Sequence, residues 1–140
     1  FKKTRIDLTD DILIQEFIEW EEYSVPLVDW EVLPIMKLEK EDGLVFDYEA
    51  KYVSDNIIKE TFPEIEDDVS EELKKQSLLV YNYFDVKGMA RVEFIVKNWE
   101  LYFLEVNTIP GMTEWSILPK AWNLTGKTNE ELVKIITTIK

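Results

Sequence analysis

Alternating hydrophobic and polar positions predict a β-hairpin in the second half of the chain. Residues 89–96 (MARVEFIV) and 100–106 (ELYFLEV) are the two strongest strand segments, and residues 97–99 (KNW) form a tight turn between them. The same pattern predicts three earlier strands and a short turn between the last two of them. These strands are predicted at residues 11–18, 23–28 and 32–38, with the turn at residues 29–31.

Helical spacing of apolar residues predicts three helices. The first begins with Ser70 as N-cap and ends near Phe84, the second covers residues 116–124, and the third starts with a capping box from Thr128 to Glu131. Residues 44–63 show no clean period and are interpreted as a long ordered loop. The predicted fold class is α+β, an antiparallel β-sheet with helices on one side, in a single domain over residues 1–140.

Composition agrees with one globular domain and excludes several kinds of chemistry. The chain has 140 residues, of which 46% are hydrophobic and 32% are charged. It has no Cys and no His, which excludes disulfides, thiolate zinc sites, thiol nucleophiles and imidazole bases. The formal charge of −13 disfavours both nucleic acid and an anionic membrane surface as partners. The longest apolar run, residues 101–104, is far too short to cross a membrane, and no signal peptide is recognisable, so the expected location is cytoplasmic.

The predicted hairpin carries the sharpest candidate site. Strand alternation places Arg91 and Glu93 on one face of the first strand, and Glu105 and Asn107 on one face of the second. If the two strands pair, two carboxylates and an amide oxygen converge, and these are ligands suited to Mg²⁺ that bridges phosphates. The alternative interpretation is a solvated polar face on a half-exposed sheet.

Three weaker features have ordinary structural alternatives. Lys51, in an aromatic loop segment, could meet a phosphate, or the segment could be an ordinary surface loop. Phe17, Ile18 and Glu22 could hold a purine and its ribose, or form core and surface. The amide of Gly111 could face an oxyanion, or the segment at residues 107–113 could be a plain type II turn.

Three segments together resemble one enzyme family. The order of DYEAKY at 47–52, GMARVE at 88–93 and LEVNTIPGMT at 104–113 resembles the C-terminal part of D-alanine–D-alanine ligases, which are ATP-grasp enzymes. The resemblance runs from about residue 11 to residue 140. It implies a C-terminal ATP-grasp subdomain that uses ATP and Mg²⁺, in an enzyme that forms D-alanyl phosphate and then the cell-wall dipeptide.

The resemblance also implies roles for individual residues. The metal ligands would be Glu93, Glu105 and Asn107. Arg91 and the Gly111 amide would stabilise the oxyanion, and Lys51 would contact phosphate. Tyr52 and Ser116 would lie on the substrate side. The nucleotide would be held by Phe17, Ile18, Glu22 and Leu104.

Several departures from the family pattern suggest an engineered or degenerate fragment. Glu93 stands where the family has Asp, Trp20-Glu21 where it usually has Gly-Arg, and Glu114-Trp115 where it has Ser-His. The resemblance includes neither the N-terminal domain that holds the first D-Ala nor the subdomain with the glycine-rich loop. We therefore expect the isolated chain to keep the Mg²⁺ and nucleotide wall without catalysing ligation.

An alternative function follows from the tryptophans. Five of them in an acidic chain is a high number, and two fall in predicted turns where Gly or Asn is expected. An engineered scaffold could use them as an acid-rimmed surface that binds a basic protein or a second copy of the chain. The predicted interface residues are Trp20, Trp30, Trp99 and Trp115.

Overall fold

An antiparallel sheet, whose strands do not lie in the order of the sequence, forms the core of the described part of the protein. The computed structural model describes residues 13–18, 21–40 and 58–138. In this part of the chain the strand order is β4-β3-β1-β5-β6, and the short β2 pairs with β1. Every strand pairing is antiparallel. The strands are β1 Glu21–Val28, β2 Glu31–Val32, β3 Met36–Lys40, β4 Ile58–Thr61, β5 Met89–Lys97 and β6 Glu100–Asn107.

The described residues form three helices, and local signals in the sequence explain where they lie. Helix α1 (Asp67–Tyr83) has acids in its first turn, which suit the positive end of the helix dipole. It ends in a Schellman motif, in which Asp85 has a φ of 48° and the Val86 amide donates to the Tyr81 carbonyl at 3.0 Å. Helices α2 (Ile117–Leu124) and α3 (Asn129–Thr138) follow β6.

The two faces of the sheet have different neighbours. One face packs against α1, and its core includes Val25, Val92 and Phe94 from the sheet with Leu73 and Tyr81 from the helix. The opposite face meets α2 and α3 near one end, through the apolar residues Val28, Met36, Leu118, Trp122 and Leu132. The rest of this second face carries Ser24, Arg91 and Glu93, and we call it the site face.

Two short turns share an uncommon backbone geometry. Asp29 and Trp30, which join β1 to β2, have φ values of 46° and 71°. Asn98 and Trp99, which join β5 to β6, have φ values of 49° and 72°. Positive φ at both central residues is the signature of a type I′ turn, which matches the twist of the hairpin strands.

The predicted α+β class with an antiparallel sheet is confirmed, and several details differ. The strand predicted at residues 32–38 is two strands, β2 and β3, with residues 33–35 in neither of them. The helices are divided between both faces of the sheet. Residues 13–18 are irregular instead of forming a strand, and Ile58–Thr61 is a strand at the end of the predicted loop. Helix α1 begins at Asp67, one turn before the predicted cap Ser70. No helix among the described residues has the length and apolar character needed to cross a lipid bilayer.

Candidate functional site

Glu93 is a buried carboxylate at the centre of the site face. It lies on β5 between two paired strands, and it is only 5% exposed. Its Oε1 atom accepts a hydrogen bond from Ser24 Oγ at 3.1 Å and a second, charge-assisted bond from Arg91 Nε. Its Oε2 atom is buried and has no hydrogen-bond partner among the described residues. One oxygen of this carboxylate is therefore held by two donors, while the other is buried without a donor among the described residues.

The surroundings of Glu93 act on its charge in both directions. Burial raises the pKa of Glu93, because loss of water disfavours the ionised form. The Arg91 guanidinium and the Ser24 hydroxyl oppose this effect, and the negative charge of Glu22 adds to it. A nearby cation would favour the ionised carboxylate, as Arg91 does.

Strand β6 brings the second carboxylate and the amide to the same place. The register pairs Glu93 with Glu105, and it pairs Arg91 with Asn107. Directly paired residues of antiparallel strands have neighbouring side chains on the same face. The predicted set of Arg91, Glu93, Glu105 and Asn107 is thus brought together at adjacent register positions. Glu105 is exposed, which leaves it open to a ligand that approaches the site face.

A β-bulge lies beside this pair of acids. Glu93 pairs with Glu105, but the next residue, Phe94, pairs with Phe103, so Leu104 is the extra residue of β6. Leu104 is partly exposed next to the acids, in the position where the resemblance implies an apolar bed for adenine. Glu22 is on the same face of β1, only 8% exposed, and its register partner on β5 is Ile95.

Gly111 and Ser116 approach each other closely in the loop after β6. A Cβ atom at Gly111 would lie 2.7 Å from Ser116 Oγ, so a larger residue there requires the Ser116 hydroxyl to shift. The Ser116 hydroxyl does not cap α2 and lies 2.9 Å from Thr113 Oγ1. Asn107 also holds this loop, because its Oδ1 atom accepts from the Ile109 amide at 2.9 Å. The loop therefore places Gly111 and Ser116 in contact just beyond the candidate metal ligands.

The remaining predicted site residues are less well defined. Phe17 is exposed and Ile18 is half-buried, and both lie in the irregular segment before β1. Lys51, Tyr52 and Trp20 lie outside the described residues.

Two of the predicted interface tryptophans, Trp30 and Trp99, lie far apart in the structure. Trp30 follows the end of β1, whereas Trp99 follows the end of β5, which runs antiparallel to β1. The two turns are therefore at opposite ends of an eight-residue strand, roughly 25 Å apart. Trp30 also packs edge-on against Tyr81, with ring centroids 4.9 Å apart, while Trp115 is exposed in the loop before α2.

The donor set on the site face fits Mg²⁺ shared with phosphates. The described residues contain no group of three or more acids, histidines or cysteines placed to hold a metal by themselves. Mg²⁺ usually takes one or two carboxylates from the protein and completes its shell with water and substrate phosphates. Glu93, with its free buried Oε2, together with Glu105 and Asn107, supplies this kind of partial set.

Ser24 is the residue of this site that sequence reasoning missed. It lies in a mostly apolar strand, and an isolated serine there reads as a tolerated small residue. The signal becomes visible only after β1 and β5 are paired, because Ser24 is then directly opposite Glu93.

Comparison with known proteins identifies the family. The family model described as "D-ala D-ala ligase C-terminus" matches residues 3–138. The D-alanine–D-alanine ligase of Fervidobacterium nodosum is 39% identical over 132 residues, which cover 91% of this chain and 41% of that protein. The Aquifex aeolicus ligase is 34% identical over 145 residues, covering 98% of this chain and 47% of that protein.

Solved structures agree with the sequence comparison. The D-alanine–D-alanine ligase of Bacillus anthracis matches with a TM-score of 0.75 and 34% identity, over 88% of this chain and 40% of that one. The same ligase in complex with ATP matches with a TM-score of 0.72 and 29% identity, over 86% of this chain and 38% of that one. The chain thus spans less than half the length of the relatives it matches, and it belongs to the family of D-alanine–D-alanine ligase C-terminal domains.

Proposed function

We propose that this chain forms the side of the active site that binds Mg²⁺ and ATP in an ATP-dependent D-alanine–D-alanine ligase. The observation that carries the proposal is the buried Glu93 carboxylate, whose Oε2 has no hydrogen-bond partner among the described residues and whose register partner is the exposed Glu105. A buried carboxylate oxygen without a partner is costly, and a cation is a partner that would offset this cost. A cytoplasmic location, where ATP is available, is part of the same proposal.

The residues of this chain have distinct tasks in that role. Glu93, Glu105 and Asn107 would hold Mg²⁺, which supplies charge neutralisation at the transferring phosphate. Arg91, fixed beside Glu93, adds a positive charge on the same face of the sheet. The Gly111 amide, in the loop just beyond, would donate to a developing oxyanion.

We expect the isolated 140-residue chain not to turn over ATP and D-Ala. Phosphoryl transfer depends mainly on positioning and charge neutralisation, and the matched part of the relatives is less than half of their length. Steady formation of ADP and dipeptide by the pure chain would refute this expectation.

A chimaeric ligase tests the proposed function directly. The matched segment of the Fervidobacterium nodosum ligase is replaced by this chain, and ADP and D-Ala–D-Ala are measured in a coupled assay. We expect the chimaera to form dipeptide, and we expect Glu105→Gln to lower kcat by about 100-fold or more, as the loss of a preorganised charge contact commonly does. The matched control is Glu130→Gln, which neutralises an exposed acid on α3.

Two outcomes contradict the proposal. A folded chimaera that binds no ATP shows that this chain does not supply the ATP-binding side of the active site. If Glu105→Gln and Glu130→Gln are indistinguishable in kcat, the acid pair on the site face has no role in the reaction.

A further inference from the structure

Ser24 has a single described role in the structure, which is to hold Glu93. Its hydroxyl is 3.1 Å from Glu93 Oε1, and the bond is buried. An ionised carboxylate can only accept, so Ser24 is the donor. Because Arg91 Nε donates to the same oxygen, both of the donors that the described residues give to this carboxylate are on Oε1.

The position of Ser24 leaves its hydroxyl little choice of partner. Ser24 is fully buried in β1, a strand that is paired on both sides. Its register partners are Glu93 on β5 and Met36 on β3, and Met36 is itself fully buried and apolar. In the folded sheet the Ser24 hydroxyl therefore donates its hydrogen bond to Glu93.

We propose that Ser24 is a positioning residue for the divalent cation of the ATP site, and this inference rests on the proposed function above. Ser24 and Arg91 together hold Oε1 and so keep Oε2 available to a cation shared with Glu105. Without the serine donor, the guanidinium of Arg91 is free to bridge both oxygens in the bidentate geometry that arginine favours with carboxylates. The arginine would then occupy the oxygen that the cation needs.

A metal titration separates this role from a purely structural one. Mn²⁺ serves as the probe, and free Mn²⁺ is measured by electron paramagnetic resonance with the 140-residue chain, in the presence of a non-hydrolysable ATP analogue. The variants are Ser24→Ala, which removes the donor, and Ser24→Thr, which restores it. Ser77→Ala is the matched control, because Ser77 is equally buried but its hydroxyl makes no hydrogen bond among the described residues and lies on α1.

We expect Ser24→Ala to weaken Mn²⁺ binding by about 10-fold or more, the range typical of residues that orient a metal ligand. Ser24→Thr is expected to recover most of this loss, and Ser77→Ala to leave Mn²⁺ affinity unchanged. Thermal unfolding of each variant shows whether it is folded, and a merely structural serine would change the midpoint without changing the affinity.

The outcomes separate a failure of the Ser24 role from a failure of the proposed function. If the unsubstituted chain binds Mn²⁺, Glu105→Gln abolishes binding and folded Ser24→Ala binds as tightly as the unsubstituted chain, the Ser24 inference is overturned and the proposed function stands. If the unsubstituted chain and Glu105→Gln give the same titration as a solution without protein, both are overturned. If Ser24→Ala and Ser24→Thr lose affinity equally, the hydroxyl is not what matters, and the inference also fails.

Discussion

The turn between β5 and β6 holds a large side chain in a backbone geometry that favours glycine. Asn98 and Trp99 have φ values of 49° and 72°, and left-handed geometry costs a residue with a Cβ atom about 1–2 kcal/mol. Trp99→Gly removes this cost, whereas Trp99→Ala removes the indole and keeps the Cβ atom. We therefore expect the glycine variant to be more stable than the alanine variant, which is the reverse of the usual order inside strands and helices.

The size of the effect follows from the geometry and the exposure of Trp99. The greater freedom of glycine in the unfolded chain costs about 0.4–1 kcal/mol, which leaves roughly 1 kcal/mol in favour of glycine over alanine. Trp99 is 64% exposed, in a groove lined by Tyr23 and Val96 among others. Covering a third of an indole side chain, about 70 Å², contributes roughly 1.8 kcal/mol. Trp99→Ala should therefore lose about 2 kcal/mol relative to the unsubstituted chain, and Trp99→Gly about 1 kcal/mol.

Urea unfolding measures both variants against a matched pair at the neighbouring exposed strand position, Glu100→Gly and Glu100→Ala. At position 100, alanine is expected to be the more stable by about 0.5–1 kcal/mol, the ordinary order in a strand. If alanine is also the more stable at position 99, the turn does not hold position 99 in left-handed geometry, and the reasoning is refuted.

Three further predictions concern the core, the caps and the exposed tryptophans. Leu73→Ala, in the contact of α1 with the sheet, is expected to lower the free energy of unfolding by about 2–5 kcal/mol, while exposed Val133→Ala changes it little. Bonds donated by Thr128 lower the pKa of Glu131, so this carboxylate stabilises α3 above its ordinary pKa and loses that effect as pH falls through the lower folded value. Glu131→Gln should thus be less stable than the unsubstituted chain at pH 7 and equal to it in acid, by thermal unfolding at each pH. The protein-binding role proposed from the sequence predicts that alanine at four tryptophan positions abolishes association in a pull-down and leaves the fold intact. The four positions are Trp20, Trp30, Trp99 and Trp115. An unsubstituted chain that is monomeric and captures no protein contradicts this role.

The sequence predicted those helices and strands whose signals lie within a few neighbouring residues. The β5–β6 hairpin follows from alternation and a two-residue turn, and the capping box of α3 follows from the spacing of Thr128 and Glu131. Strand β4 was missed because it has four residues and exists through its pairing with β3, which is distant in sequence. Residues 13–18 have the apolar pattern of a strand, but they pair with none of the described strands.

The candidate site was predictable in its members but not in its electrostatics. Alternation alone put Glu93 and Arg91 on one face, and the hairpin then added Glu105 and Asn107. The burial of Glu93 depends on β1 lying on its other side, and this pairing joins segments more than 60 residues apart. For the same reason, neither the bond from Ser24 nor the unpartnered Oε2 could be read from the local sequence.

Tryptophan stands where glycine is expected in both strained turns and at one position that the family resemblance covers. Trp30 and Trp99 each occupy the second central position of a turn whose geometry favours glycine, and Trp20 stands where the resembled family has glycine. Tryptophans selected for one partner would be expected to share a surface, but Trp30 and Trp99 are at opposite ends of the sheet. Trp122 differs from all three, because it is buried in the core and its Nε1 donates to the Thr128 carbonyl at 2.8 Å.

A shared codon would account for this division. We expect positions 20, 30 and 99 to be encoded by UGA, which some genetic codes assign to tryptophan and others to glycine, and Trp122 to be encoded by UGG. Ribosomes of the source cell would then insert glycine at the three positions, which removes the strain at the second central position of both turns. Peptide mass spectrometry of the protein isolated from its source distinguishes the two residues at each position. Tryptophan at positions 30 and 99, or UGG codons there, would contradict this expectation and show that the strain is present in the cell.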